Sequence, residues 1–169
     1  MKKISSTLII ILIILITSII LPSITRFNHR ISYIIAFCFA IIFIFNLTTR
    51  YFMIFKTYFL SNYNLFSSKF QKDIIYDIPK ELLMKKVIES INESEFEIKF
   101  VDNDNFQIFA ISNTTFQSWG ENIYIDLIDK KGETLLKFNS VAISQIYSWG
   151  KNKENYKKII NEIEKSLTI

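Results

Sequence analysis

The residues that most often do chemistry are scarce in this chain and poorly placed for it. One histidine, His29, and one cysteine, Cys38, occur in 169 residues, and both fall in the apolar N-terminal part. A structural zinc site needs several Cys or His ligands, and a Ser-His-Asp or Cys-His nucleophile needs its base within hydrogen-bond reach. Those classes are excluded, and so are disulfides. The 3 glycines stand far apart, at Gly120, Gly132 and Gly150, so no glycine-rich phosphate loop exists. Carboxylates remain. Asp102-Asn-Asp-Asn105 has the acid spacing of a Ca²⁺ loop but lacks its Gly and its bidentate Glu, and reads as a turn. Glu95 and Glu97 alternate with Phe96 and Ile98, as on the wet face of a strand, and not as the paired acids of a glycosidase. The inventory calls for no cofactor and no metal and argues against an enzyme. The alternative is a carboxylate-dependent hydrolase or lipid-modifying enzyme, whose two acids would converge in a pocket with raised pKa values.

One local pattern stands apart. Ser118-Trp119-Gly120-Glu121-Asn122 is echoed by Ser148-Trp149-Gly150-Lys151-Asn152, and these two segments hold the only two tryptophans. Glycine permits positive φ, and Asn152 is of a type that caps a helix N-terminus. One reading makes each segment a corner turn whose Trp plugs an edge of a sheet. The other joins Gln117, Trp119, Gln145, Tyr147 and Trp149 into a recognition patch, since two corners separated by a hairpin can share one end of a sheet.

The tail from Ser140 through Gln145 to Ser148-Trp149-Gly150-Lys151-Asn152, followed by an amphipathic helix, resembles an uncharacterised bacterial domain family of unknown function. The tail of that family runs through an Arg-Ser-x-Ser-Arg strand and an Asp-Leu-Gly-x-Asn turn into a closing helix. The resemblance spans about Ile78–Leu167, with Ser140, Gly150 and Asn152 matching. Asn139 stands for the first Arg, Ala142 for the second Ser and Ser148 for the Asp. These departures remove any charged network the family builds there. The resemblance implies frequent membrane association and no specific activity.

The elements that must position these residues follow from periodicity. Phe70, Ile74, Tyr76 and Ile78 fall on one face of a strand, and Pro79 then opens a helix with Leu83, Val87 and Ile91 at i, i+4 and i+8. Strand-like alternation recurs in Phe96–Phe100, Phe106–Thr114, Ile123–Leu127 and Thr134–Val141, with turns at Asp102–Asn105 and Asp129–Glu133. Tyr156, Ile159, Ile160, Ile163 and Leu167 form the stripe of a closing helix. The order predicts an α+β domain, β-α-β-β-β-β-α: a small antiparallel sheet with two helices packed on one face.

Before it lie two apolar runs, Ile4–Leu21 and Ile31–Leu47, bordered only by cations. Seventeen to twenty helical residues cover a hydrocarbon core of about 30 Å. The runs therefore predict two N-terminal transmembrane helices joined by Pro22–Arg30. A secretory signal peptide is the rival reading of the first, but Leu21-Pro22-Ser23 is no small-x-small cleavage site. Lys2, Lys3, Arg50 and Lys56 on the terminal side outnumber Arg26 and Arg30, which predicts a bacterial inner-membrane protein with both termini cytoplasmic. Tyr51–Asn64 reads as a juxtamembrane anchor, or as a lipid-sensing helix along the interface. The expected domains are 1–60, the membrane hairpin, and 61–169, the α+β domain.

Charge follows the same division. Residues 1–60 carry +6 and residues 61–169 carry −2, which yields the net +4 of the chain. The pI of about 9.0 is thus a property of the N-terminal part, and nucleic acid is not an expected partner. The expected function is a membrane-anchored, non-catalytic interaction or accessory module, with the membrane and a protein or small apolar ligand as partners.

Overall fold

The computed structural model describes residues 29–65, 67–115, 118–143 and 145–167. The chain divides into two compact units, Met1–Thr48 and Thr49–Ile169. In the first, the described part is helical and belongs to α1 (His29–Tyr51). Its described large apolar side chains, Ile34, Phe37, Phe39 and Ile44 among them, are exposed.

The second unit is the α+β domain that periodicity predicts. Its strands are β1 (Lys69–Tyr76), β2 (Glu97–Asp102), β3 (Gln107–Ile111), β4 (Glu121–Lys130) and β5 (Glu133–Ala142). They form one antiparallel sheet in the order β1-β5-β4-β3-β2. A 3₁₀ turn (Met53–Phe55) and the short α2 (Lys56–Leu60) precede β1, α3 (Lys80–Glu93) follows it, and α4 (Lys151–Leu167) ends the unit. Pro79 holds the N-cap of α3 at φ −60°. The β2–β3 turn is closed by Asp102 Oδ1, which accepts the N–H groups of Asp104 and Asn105 at 3.1 and 2.9 Å. The side-chain NH₂ of Asn105, which donates to Asp102 Oδ2 at 2.9 Å, and then those N–H groups hold the Asp102 carboxyl below its ordinary value. Asp102 is thus a turn residue.

The main core lies between the sheet and the two long helices. Leu83, Val87 and Ile91 of α3 and Ile159 and Ile163 of α4 are wholly buried against Ile123, Ile125, Leu136 and Phe138. Each such side chain contributes about 1.5–3 kcal/mol by leaving water. The opposite sheet face is also covered. Phe59, Phe109, Ile111, Tyr124, Val141 and Ile143 form a second cluster there, with Met53 and Leu60 packed against it. Lys56 Nζ lies 2.5 Å from Asp126 Oδ1 on the same side, 5.8 Å from the centre of the Tyr124 ring.

This second cluster bears on the membrane expectation. The first apolar run lies outside the described residues, and among the described residues no helix is long and apolar enough to cross a membrane. The two transmembrane helices, the inner-membrane location and the cytoplasmic orientation of both termini are corrected accordingly. Two of the four cations counted toward that orientation have other work. Arg50 is buried and donates from Nη2 to the Ser112 carbonyl at 2.9 Å, and Lys56 is paired with Asp126. The stretch read as a juxtamembrane anchor instead lays Phe59, 5% exposed, onto the sheet. Aromatic residues beside a cation look the same in sequence whether they meet a bilayer or a sheet.

Candidate functional site

The register places both tryptophan segments at one end of the sheet. Glu121, the first residue of β4, pairs with Ala142, the last of β5. The first corner therefore enters the sheet where β5 leaves it toward the second. Ser68, just before β1, joins them: its N–H donates to the Gln145 carbonyl at 2.7 Å, and its hydroxyl to Ser148 Oγ at 3.1 Å.

Beneath the corners sits a buried polar node centred on Glu121, which is 0% exposed. Its carboxylate accepts the hydroxyls of Ser112 and Ser118 and, at 2.8 Å, the side-chain N–H of Asn155 from α4. Its own N–H donates to Ser112 Oγ at 2.8 Å. A hydroxyl has one proton, so with Ser118 donating to Glu121, its 3.1 Å contact to Gln145 is a bond when that amide presents its NH₂. Arg50 borders the node. Burial pushes its guanidinium below the ordinary value, and the nearby Tyr51 and Glu121 work against that shift. The buried charges thus accompany one another, as charges removed from water must.

The second corner is tied down likewise. The hydroxyl of Ser140 donates to Asn152 Oδ1 at 2.8 Å, and Asn152 Nδ2 donates to the Ser68 carbonyl at 3.0 Å. Asn152 therefore lies inside the first turn of α4 and faces inward, joining α4 to the sheet, where the sequence suggested a helix cap.

On this fixed base the aromatic residues point outward. Ser118 and Ser148 are buried, while Trp119 is 49%, Tyr147 67% and Trp149 69% exposed. The serines fill the sheet end, and the tryptophans do not plug it. Tyr147 and Trp149 meet edge to face, with centroids 5.2 Å apart and planes at 82°, the arrangement aromatic quadrupoles favour. Trp149 holds φ +50°, a left-handed conformation that costs a bulky residue free energy.

Of the five residues expected in a recognition patch, Trp119, Gln145, Tyr147 and Trp149 are thus found on two corners joined by hydrogen bonds, while Gln117 lies outside the described residues. Arg50 and Glu121 were not expected here. A signal for Arg50 was present: it is the sole arginine of the second unit, among 15 lysines, and arginine suits buried, directional bonding better than lysine does. Glu121 carried none beyond its place in the Ser-Trp-Gly segment. Among the described residues no group of three or more His, Cys, Asp or Glu could hold a metal ion.

No protein-family model matches the chain, and no curated protein does. Twenty-five chains of solved structures match. One of them is titled "Crystal structure of Ara h 8.0201"; it is 10% identical with a TM-score of 0.48, over 60% of this chain and 98% of that one.

Proposed function

We propose that the second unit is a non-catalytic interaction module that holds a protein partner through its two tryptophan corners. The observation that carries this reading is Trp149, a large aromatic held outward at φ +50° and braced by Tyr147. A bulky residue kept in an unfavourable backbone state, on a surface whose burial it does not serve, marks a place where function outweighs stability. Exposed Trp and Tyr on rigid turns are the usual anchors of protein recognition, because they offer much contact area and few rotatable bonds. Glu121 supports the non-catalytic reading. Its carboxylate is closed off from solvent and accepts from Ser112, Ser118 and Asn155, which suits a structural node better than a general acid.

The test places a photo-crosslinking amino acid at Tyr147 in the full chain and irradiates living cells. A discrete crosslinked protein is expected from position 147 and not from Ile75, which is 54% exposed toward the other end of edge strand β1. Crosslinks of the same pattern from both positions, or none from 147, would remove the reading.

A further inference from the structure

The two corners are free of charge. Neither Ser112–Gly120 nor Phe138–Gly150 contains an Asp, Glu, Lys, Arg or His, in a chain of which 21% of residues are charged. Three of the charges beside them are taken up elsewhere, while Glu95 and Lys153 are exposed at the margin. Glu121 and Arg50 are buried in the node, and Lys151 pairs with Glu154 at 2.8 Å. Much of the hydrogen-bonding capacity of the corners is spent within the unit as well. Ser118 is held by Glu121, Ser148 by Ser68, Thr115 Oγ1 accepts the Ser118 N–H at 3.1 Å, and Asn113 donates to the Glu95 carbonyl at 3.0 Å. The large apolar groups presented outward are Trp119, Ile146, Tyr147 and Trp149.

Such a face discriminates by desolvation. A partner charge brought against it loses its hydration and meets no counter-charge within the corners, which is costly. A nucleic acid would need cations that are missing. A sugar would need fixed donors and acceptors for its hydroxyls, and the corner serines Ser112, Ser118, Ser140 and Ser148 are buried instead. We infer that the segment recognised is an uncharged stretch of polypeptide bearing aliphatic or proline side chains, which bury apolar surface on aromatic faces without stranding a charge. The inference rests on reading the corners as a protein-binding face.

The experiment pans phage-displayed random short peptides on the immobilised full chain and counter-selects on the Trp119→Ala/Trp149→Ala chain, with circular dichroism confirming that the variant is folded. Enriched peptides should lack Asp, Glu, Lys and Arg. Their affinity should change less than about twofold between about 0.05 and 0.5 M salt, since no exposed ion pair is formed. They should lose at least about tenfold on Trp149→Ala, as hot-spot aromatics do. Ile146→Glu is a second variant: it adds a charge at a position 74% exposed, leaves the core untouched, and should also cost about tenfold. Enrichment of charged, salt-sensitive peptides, no enrichment at all, or Trp149-dependent binding on a glycan array would overturn the inference. If position 147 crosslinks to a protein in cells while panning returns charged peptides, this inference alone falls; if 147 captures nothing, the protein-binding reading falls with it.

Discussion

The guanidinium of Arg50 occupies the space where a side chain on Gly120 would have to stand. A Cβ at Gly120 would lie 1.9 Å from Arg50 Nη2 and 2.7 Å from the Ser112 carbonyl oxygen, on a backbone already at φ +92°. The glycine of the first Ser-Trp-Gly segment therefore serves two needs at once: a left-handed turn, and a slot for the one arginine of the unit. Gly132 and Gly150 share the positive φ but have open space around them.

Gly120→Ala is expected to destabilise the chain by at least about 2 kcal/mol, combining backbone strain with the clash. In a double-mutant cycle with Arg50→Ala, part of that loss should return, because the shorter side chain vacates the slot. Urea unfolding measures both, and strictly additive effects would show that the two residues do not compete for space.

Glu121→Gln keeps the shape of the node and removes one acceptor from two hydroxyls and an amide N–H, while withdrawing the negative charge near Arg50. The expected cost is about 2 kcal/mol, that of leaving buried donors unsatisfied. An unchanged urea midpoint would mean that the carboxylate is not the organising group.

Trp149→Asn is expected to act in the opposite direction. Asn tolerates the left-handed region better than Trp, and position 149 is 69% exposed, so stability should rise by about 0.5–1 kcal/mol. Crosslinking from position 147 should fall in the same variant. A destabilised Trp149→Asn chain would show that the indole serves the fold.

Burial pushes the Tyr76 phenol up to about 12, with Glu164 and Tyr156 adding to the effect. A phenol whose folded value exceeds its unfolded value keeps its proton in the native state longer than in the unfolded one. Its contribution is therefore constant below the unfolded value near 10 and is lost as pH rises toward about 12. Tyr124 and Tyr156 are raised too and add in the same sense. Tyr76→Phe should flatten the fall in urea midpoint between about pH 10 and 12. At neutral pH it should be neutral or mildly stabilising, because the Tyr76 hydroxyl is buried without a hydrogen-bond partner. A loss above about 1 kcal/mol at pH 7 would contradict that account.

Phe59→Ala should cost about 3 kcal/mol, the usual loss for a buried phenylalanine. Residues 53–60 are then part of the folded unit, covering the second sheet face. An anchor segment independent of the domain would leave its urea midpoint unchanged.

The sequence by itself determined the strands and the two long helices from Lys69 onward and their packing on one sheet face. Strand alternation and the Leu83-Val87-Ile91 and Ile159-Ile160-Ile163 stripes depend only on which neighbours in the chain share a face, and a period of 2 or 3.6 records that directly. The Ser-Trp-Gly echo likewise marked two related turns. Tertiary structure alone decided what met those elements from a distance. Arg50 and Gly120 are 70 positions apart, and Ser68 and Ser148 are 80. No local pattern encodes that an arginine next to an apolar run will enter a glycine slot, or that Phe59 will face a sheet. Exposure of Trp119 and Trp149 over buried Ser118 and Ser148 was open for the same reason. A Ser-Trp pair in a turn can rotate either side chain inward, and the buried carboxylate of Glu121, with Ser68 across the sheet, chose the serines.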